Sequence, residues 1–325
     1  MDTVDSIMNK ERTAQSKLSL VIPVYQEGNH IRSSIAVIEQ ILKENRLVYE
    51  FVLVDDGSRD NTWSEMKALT EENNRVTSLR LSRNFGKESA LCAGLEHADG
   101  DMILVMDADL QHPPALIPEM VRAWQEGFDV VEGVKNSRGK ENPVYKLCAK
   151  FFYYILYKSS DIHLGKASDY KLLDRKVVEA WKEMPERAIF FRGMSAWLGF
   201  DRKQIGFDVA ERVNGKTKWS LLRLIRLAMN AITSYTSVPL HCITVLGILM
   251  FFITIIMGLQ TLFMKFSGRA LDGFTTVILL QLLIGSSIMT SLGMIGIYLT
   301  KIYKEVKGRP RYLISKCIKG GDRKC

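Results

Sequence analysis

The chain lacks the two glycine-rich signatures that most often open a nucleotide site. No G-x-G-x-x-G follows its first apolar run, where Pro23-Val24-Tyr25-Gln26-Glu27 stands instead, and no G-x-x-x-x-G-K-[ST] occurs. These absences count against a nicotinamide dehydrogenase and against a P-loop ATPase. Cysteine is scarce: positions 92, 148, 242, 317 and 325 make an odd count with no C-x-x-C, so neither a disulfide framework nor a zinc site is expected. The N-terminus is polar and charged without an apolar stretch, and no cleavable leader is expected there. Most telling, Asp, Glu, Lys and Arg are missing altogether from Val238–Met264 and from Gly273–Thr300. Each run exceeds the roughly 20 residues that cross a bilayer core. The expectation is two transmembrane helices, about 238–264 and 273–300, with a pair of buried core helices as the alternative. Gly247, Gly258, Gly285, Gly293 and Gly296 fit close helix packing in lipid.

Charge, where present, is unevenly placed. Residues 301–325 carry nine Lys or Arg against two acids, a net +7 of the whole chain's +8. A basic segment directly after a membrane span predicts a cytoplasmic tail with affinity for anionic lipid. The near-neutral remainder argues against a nucleic-acid partner. Between Trp219 and Ser234, Leu221, Leu224, Ile225, Ala228, Met229 and Ile232 fall on one helical face while Arg223, Arg226 and Asn230 fall on another. Just before a span, this pattern predicts an interfacial amphipathic helix, with an ordinary surface helix as the alternative.

The first hundred residues alternate between strand and helix patterns. Leu18–Tyr25, Phe51–Val54, Val76–Leu81 and Met102–Met106 read as strands, and Ile31–Asn45, Thr62–Asn73 and Glu88–Ala98 as helices. This predicts a mostly parallel sheet flanked by helices, whose ligand site lies outside the carboxyl ends of the strands. Three acidic or turn-forming segments reach that edge: Pro23–Glu27, Asp55–Ser58 and Asp107–Gln111. Asp107 and Asp109 stand one residue apart, before Pro113 and Pro114 stop the strand. Such carboxylates suit an oxygen-ligated Mg²⁺ or Mn²⁺ shared with a substrate phosphate. An isolated Asp pair equally well caps a helix; the second acidic strand end and the downstream spans set this one apart.

At this point the residues carry a family resemblance. Val21–Glu27, Asp55–Thr62, Ser82–Glu88 and Asp107–Pro114 resemble the ordered motifs of inverting family-2 glycosyltransferases of the GT-A fold. The nearest branch is the polyprenyl-phosphate glycosyltransferases, similar to dolichyl-phosphate mannose synthase and bacterial undecaprenyl-phosphate glucosyltransferases. The resemblance runs from about Leu18 to Lys307. The Gln-x-x-Arg-Trp sequence usual in processive synthases is absent. The resemblance implies that Pro23, Tyr25 and Glu27 wall the base and ribose, and that Asp55 and Asp56 contact the nucleoside. It implies a metal on Asp107, Asp109 and Gln111, with Lys87 on the diphosphate. Ser168–Leu173, with Asp169 a candidate base, would lie beneath the donor sugar. Gly133–Arg138 resembles the acceptor-phosphate segment, with Lys135 where a first arginine often stands. Arg212–Trp219 resembles a loop that closes Arg212 and Lys218 over the phosphates.

The chain is accordingly expected to have a mobile lead (1–17), a cytoplasmic GT-A domain (18–218), an interfacial helix (219–236), two spans (237–300) and a basic cytoplasmic tail (301–325). The expected reaction moves a sugar from a nucleotide diphosphate sugar, UDP-sugar favoured, to a polyprenyl phosphate, undecaprenyl phosphate favoured, for cell-envelope glycosylation. A homo-oligomer is left open. The competing readings are a non-catalytic nucleotide-sugar sensor or membrane scaffold, or a transferase with another lipid acceptor.

Overall fold

The computed structural model describes residues 12–13, 15–135, 168–184, 191, 193, 197–207, 238–267 and 273–321. It divides into two compact units, one built on a sheet and the other on two apolar helices.

In the first unit the strands are β1 (Lys17–Val24), β2 (Val48–Asp55), β3 (Val76–Leu81), β4 (Met102–Val105), β5 (Val130–Lys135), β6 (Lys171–Asp174), β7 (Arg202–Phe207) and β8 (Ile314–Lys319). The helices are α1 (Ile31–Glu44), α2 (Thr62–Glu72), α3 (Lys87–His97), α4 (Ile117–Gln125) and α5 (Arg175–Lys182). One eight-stranded sheet has the order β7-β5-β6-β4-β1-β2-β3-β8. Its inner strands β1, β2 and β4 bury most of both faces, so they read as largely apolar runs rather than alternating ones. Leu18, Leu20 and Ile22 of β1 join a core with Ile31, Ile35, Ile38 and Leu42 of α1. Val21, Val52 and Val54 face the opposite layer, with Ala90, Leu91, Ala93 and Leu95 of α3.

The four expected strands form the parallel block β4-β1-β2-β3, with boundaries within a few residues of those expected. Beyond it the sheet is mixed. β6 runs antiparallel to β4 and β5, and β5 pairs parallel with β7. The four-residue β6 hides a charged pair: Lys171 Nζ lies 2.9 Å from Glu132, both side chains almost fully buried. The contact is an ion pair rather than a well-aligned hydrogen bond, since Glu132 Oε1 meets no donor at good angles. Burial pushes the Lys171 pKa down, against the pull of Glu132.

The other departure is at the C-terminal end. The segment expected as a basic tail is not all tail: residues 314–319 form β8, antiparallel to β3 at the sheet's edge. Arg311 donates to the Met184 carbonyl at 2.6 Å, and Tyr312 hydrogen-bonds Glu96. Ile318 packs on one core layer and Ile314 on the other. Cys317 on this strand is disulfide-bonded, contrary to the expectation of no disulfide; the absent C-x-x-C spacing carried no signal for it.

The second unit contains α6 (Val238–Phe266) and α7 (Phe274–Val306). Both are long and apolar enough to cross a membrane, and their apolar windows bury nothing within the protein. At about 1.5 Å per residue, the 33 residues of α7 reach about 50 Å, longer than a bilayer core of about 30 Å. Its end carries Lys301 and Lys304, where an interface would receive them. The expected amphipathic helix at 219–236 lies outside the described residues.

Candidate active site

The carboxyl ends of β1, β2, β3 and β4 place their acidic and turn residues along one edge, as the parallel block requires. At the end of β2, Asp55 is fully buried and works for the fold. Its Oδ1 accepts the Ser58 N–H at 2.9 Å, and Arg80 Nε lies 3.2 Å from Oδ2. Arg80 also donates to the Ser58 carbonyl at 2.9 Å. Gly57 between them has φ +68°, and a Cβ there would lie 2.5 Å from the Arg83 carbonyl carbon. Only glycine lets this turn approach the end of β3 so closely.

Asp56 reaches across to the chain that follows β3. Its Oδ1 accepts the Phe85 N–H at 2.7 Å and its Oδ2 the Gly86 N–H at 2.9 Å. Burial pushes its pKa up; the two backbone donors pull the other way without cancelling the rise, and neighbouring Asp55 adds to it. Gly86, at φ +97°, turns the chain into α3. The first residue of that helix is Lys87.

Lys87 Nζ lies 2.6 Å from Asp107 Oδ1 and 2.9 Å from Asp169 Oδ2. Burial disfavours its charge, but Asp169 and Asp107 outweigh burial and hold its pKa above the ordinary lysine value. Three residues placed by sequence on separate segments thus meet at one ammonium. Asp169 lies just before β6, whose antiparallel pairing with β4 brings it beside the D-x-D loop.

That loop has its own scaffold. His112 is buried, its ring stacked on Tyr170 at 4.9 Å and 5°, with Phe207 edge-on to both rings. His112 Nδ1 accepts the Asp107 N–H at 3.3 Å, and Tyr170 OH donates to the Pro113 carbonyl at 3.1 Å. Burial lowers the His112 pKa, in keeping with a ring that accepts at Nδ1. Leu110 takes φ +56°, and Asp109 Oδ1 accepts the Gln111 N–H at 3.1 Å. Asp109 itself points to solvent. Opposite, Glu27 has its pKa raised by burial and then by Asp109, with smaller contributions from Asp60 and Asp107. Its backbone N–H is held by Thr62 Oγ1 at 3.0 Å. Pro23 lies in β1 beside Val54 of β2, and the Tyr25 ring is 42% exposed.

The acidic edge fits a divalent cation. Carboxylates crowded along one edge gain from a cation between them, and Lys87 already stands between Asp107 and Asp169 as one. Among the described residues no three His, Cys, Asp or Glu side chains form a ready ligand group. Mg²⁺ and Mn²⁺ take few protein ligands and share the rest with substrate phosphate and water.

A family model described as glycosyl transferase family 2 matches residues 19–181. The chain belongs to that family. It is a glycosyltransferase, and its mixed sheet is of the GT-A type. The chain is 37% identical over 302 residues to an uncharacterized glycosyltransferase of Synechocystis sp., covering 92% of this chain and 95% of that protein. It is 34% identical over 309 residues to a prophage-derived bactoprenol glucosyl transferase of Shigella flexneri, covering 94% of this chain and 99% of that protein. It is also distantly similar to a crystal structure of glucosyl-3-phosphoglycerate synthase from Mycobacterium tuberculosis, at 21% identity and TM-score 0.48, over 71% of this chain and 80% of that one.

Of the site residues expected in this glycosyltransferase, the structure brings Lys87, Asp107 and Asp169 together and sets Glu27 and Asp109 near them. Asp55 and Asp56 shape the turns beneath the site. Arg138, Arg212 and Lys218 lie outside the described residues. Sequence reading missed the His112–Tyr170–Phe207 stack and the Asp55–Arg80 pair, because aromatic and ionic partners far apart in sequence leave no local spacing. Replacing Asp56 by Asn should cost about 1–3 kcal/mol, since the amide nitrogen must face a backbone N–H and leave a buried donor unpaired. Denaturant unfolding of the solubilised protein should show this loss, and donor KM should rise as the turn bearing Lys87 loosens. Wild-type stability in Asp56→Asn would remove Asp56 from this role.

Proposed function

We propose that this chain is a membrane-bound inverting glycosyltransferase that moves a sugar from a nucleotide diphosphate sugar, UDP-sugar favoured, to the phosphate of a polyprenol. The observation that carries the reading is the Lys87 ammonium held between Asp107 and Asp169. It gathers at one point the cation for a leaving diphosphate, the D-x-D loop and the carboxylate beneath the sugar. Relatives along nearly the whole chain are called bactoprenol glucosyl transferases, which supports a polyprenyl acceptor.

In the reaction a phosphate oxygen of the lipid forms a bond to the anomeric carbon as the bond from that carbon to the diphosphate breaks, on the opposite face. The nucleotide diphosphate leaves and the lipid keeps the sugar with inverted configuration. A phosphate monoester has its second pKa near 6, so at neutral pH the nucleophile is largely anionic and needs little help from a base. The protein's work is positioning and charge. Lys87 offers donors to the diphosphate once substrate draws it from its carboxylates. Asp169 then faces the sugar. Arg138 and Arg212 are assigned to the acceptor phosphate, with Lys218 beside the donor. Mg²⁺ or Mn²⁺ on Asp107, Asp109 and Gln111 would neutralise charge developing on the leaving diphosphate.

The test supplies purified full-length protein with undecaprenyl phosphate and labelled UDP-sugars. Label should move to the lipid fraction with Mg²⁺ or Mn²⁺ present. Asp109→Asn should abolish transfer while leaving unfolding unchanged, because this carboxylate is exposed and supports no packing. Transfer by that variant at the wild-type rate would refute the metal assignment; a wild type that labels no lipid would refute the acceptor.

We further place the catalytic domain and both ends of the chain in the cytoplasm. β7 before the apolar helices and β8 after them belong to one sheet, which supports a chain that crosses the membrane out and back. The +7 segment supplies the orientation. Ser267→Cys, between the helices, should react with an impermeant thiol reagent on intact cells. Lys67→Cys, on the exposed face of α2, should react only after the cells are opened. The reverse pattern would put the active site outside, away from nucleotide sugars.

A further inference from the structure

Among the residues for which sequence gave no function, Ser315 and Lys316 of β8 have the most informative placement. They help line a cleft of about 410 Å³ together with Tyr25, Gly57, Arg59 and Arg83. The cleft lies on the catalytic edge, at the far end from the D-x-D loop. From β4 to β8 the sheet makes four interstrand steps, about 19 Å at the usual spacing. An extended nucleotide diphosphate sugar is a ligand of that reach. With its sugar at Asp169 and its diphosphate at Lys87, its nucleoside end falls here.

The position of Lys316 is fixed by the backbone. It sits opposite Arg80 in the β3–β8 ladder. Ser82 N–H donates to the Leu313 carbonyl at 2.8 Å, and Ser315 Oγ donates to the Arg80 carbonyl at 3.1 Å. The lining has four cationic side chains, Arg59, Arg80, Arg83 and Lys316, and no Asp or Glu. Their charges are not equally committed. Arg80 is spent on buried Asp55 and the Ser58 carbonyl, and Arg83 lies over the Phe85 ring at 4.8 Å. Lys316 and Arg59 are exposed, and neither has a carboxylate partner among the described residues; of the two, Lys316 stands on a strand, held by the β3–β8 ladder.

We propose that Lys316, carried by the strand that follows the second apolar helix, is a specificity-determining residue that closes the nucleoside end of the donor cleft. It rests on the transferase reading above. Lysine offers three donors and no acceptor, so facing position 4 of the base it selects the carbonyl of uracil over the amino group of cytosine. The exposed Tyr25 ring offers the base a face to stack on. Donor recognition then depends on a residue delivered from beyond both apolar helices, and a chain ending after α7 would fold a cleft with one wall missing.

The test measures UDP and CDP affinity of the full-length protein by calorimetry, together with donor and acceptor KM, for wild type, Lys316→Met and Lys316→Arg. Lys316→Met should weaken UDP binding and raise donor KM about 10-fold, the cost of one charged hydrogen bond. It should leave acceptor KM unchanged and narrow the preference for UDP over CDP. Lys316→Arg, which keeps the charge and donors, should recover most of the loss, whereas a merely structural role for the strand would not produce this split. UDP affinity and base preference unchanged in Lys316→Met would overturn the inference even if sugar transfer proceeds. UDP binding weakened in Lys316→Met by a protein that labels no lipid would uphold it and overturn the acceptor reading alone.

Discussion

An ammonium between two carboxylates organises this site. Asp107 and Asp169 arrive from different strands, and two carboxylates on either side of one point repel each other unless a positive charge stands between them. Lys87 provides it, with both contacts under 3 Å. A lysine so placed also offers a diphosphate its first cation, because a phosphate oxygen competes for the same three donors. Its placement depends on Asp56, whose carboxylate pins the two backbone N–H groups just ahead of α3. In the proposed reaction the acidic motif at the end of β2 would act at one remove, by aiming a residue some thirty positions downstream.

The aromatic stack plays the same part for the other side of the site. Stacking of His112 on Tyr170 joins the D-x-D loop to the segment entering β6, so Asp107 and Asp169 share one scaffold. The antiparallel pairing of β6 with β4 makes that join possible. At the opposite edge of the sheet, β8 ties the segment beyond α7 to β3. The membrane-length helices thus sit within a chain whose two flanks are sewn into the same sheet.

The parallel block was legible in the sequence because strand and helix periods there alternate cleanly, and because Asp and Gly mark the strand ends. Asp107, Asp109 and Glu27 were legible as an acidic edge for the same reason. The rest was hidden for identifiable physical reasons. β6 is only four residues long and contains a lysine, which reads as exposed until its partner Glu132 is seen. β8 reads Ile314-Ser315-Lys316-Cys317-Ile318-Lys319, with no clean apolar alternation, and its lysines blend into a run of positive charge that reads as a tail. Asp55 and Asp56 mark the end of β2 in the sequence, while their partners Arg80 and the Phe85–Gly86 backbone become apparent only when β2 and β3 are laid side by side.

The proposed reaction depends most directly on Lys87. Its measurement is the rate of sugar transfer from UDP-sugar to undecaprenyl phosphate, with UDP affinity, in full-length Lys87→Met against wild type. If the ammonium moves from its carboxylates to the diphosphate, the variant loses at least about 10-fold in kcat/KM, the effect of one charged hydrogen bond, and binds UDP more weakly. Lys87→Arg then recovers part of both. Transfer and UDP affinity equal to wild type in Lys87→Met would contradict it, leaving the lysine a structural counter-ion and the diphosphate bound elsewhere.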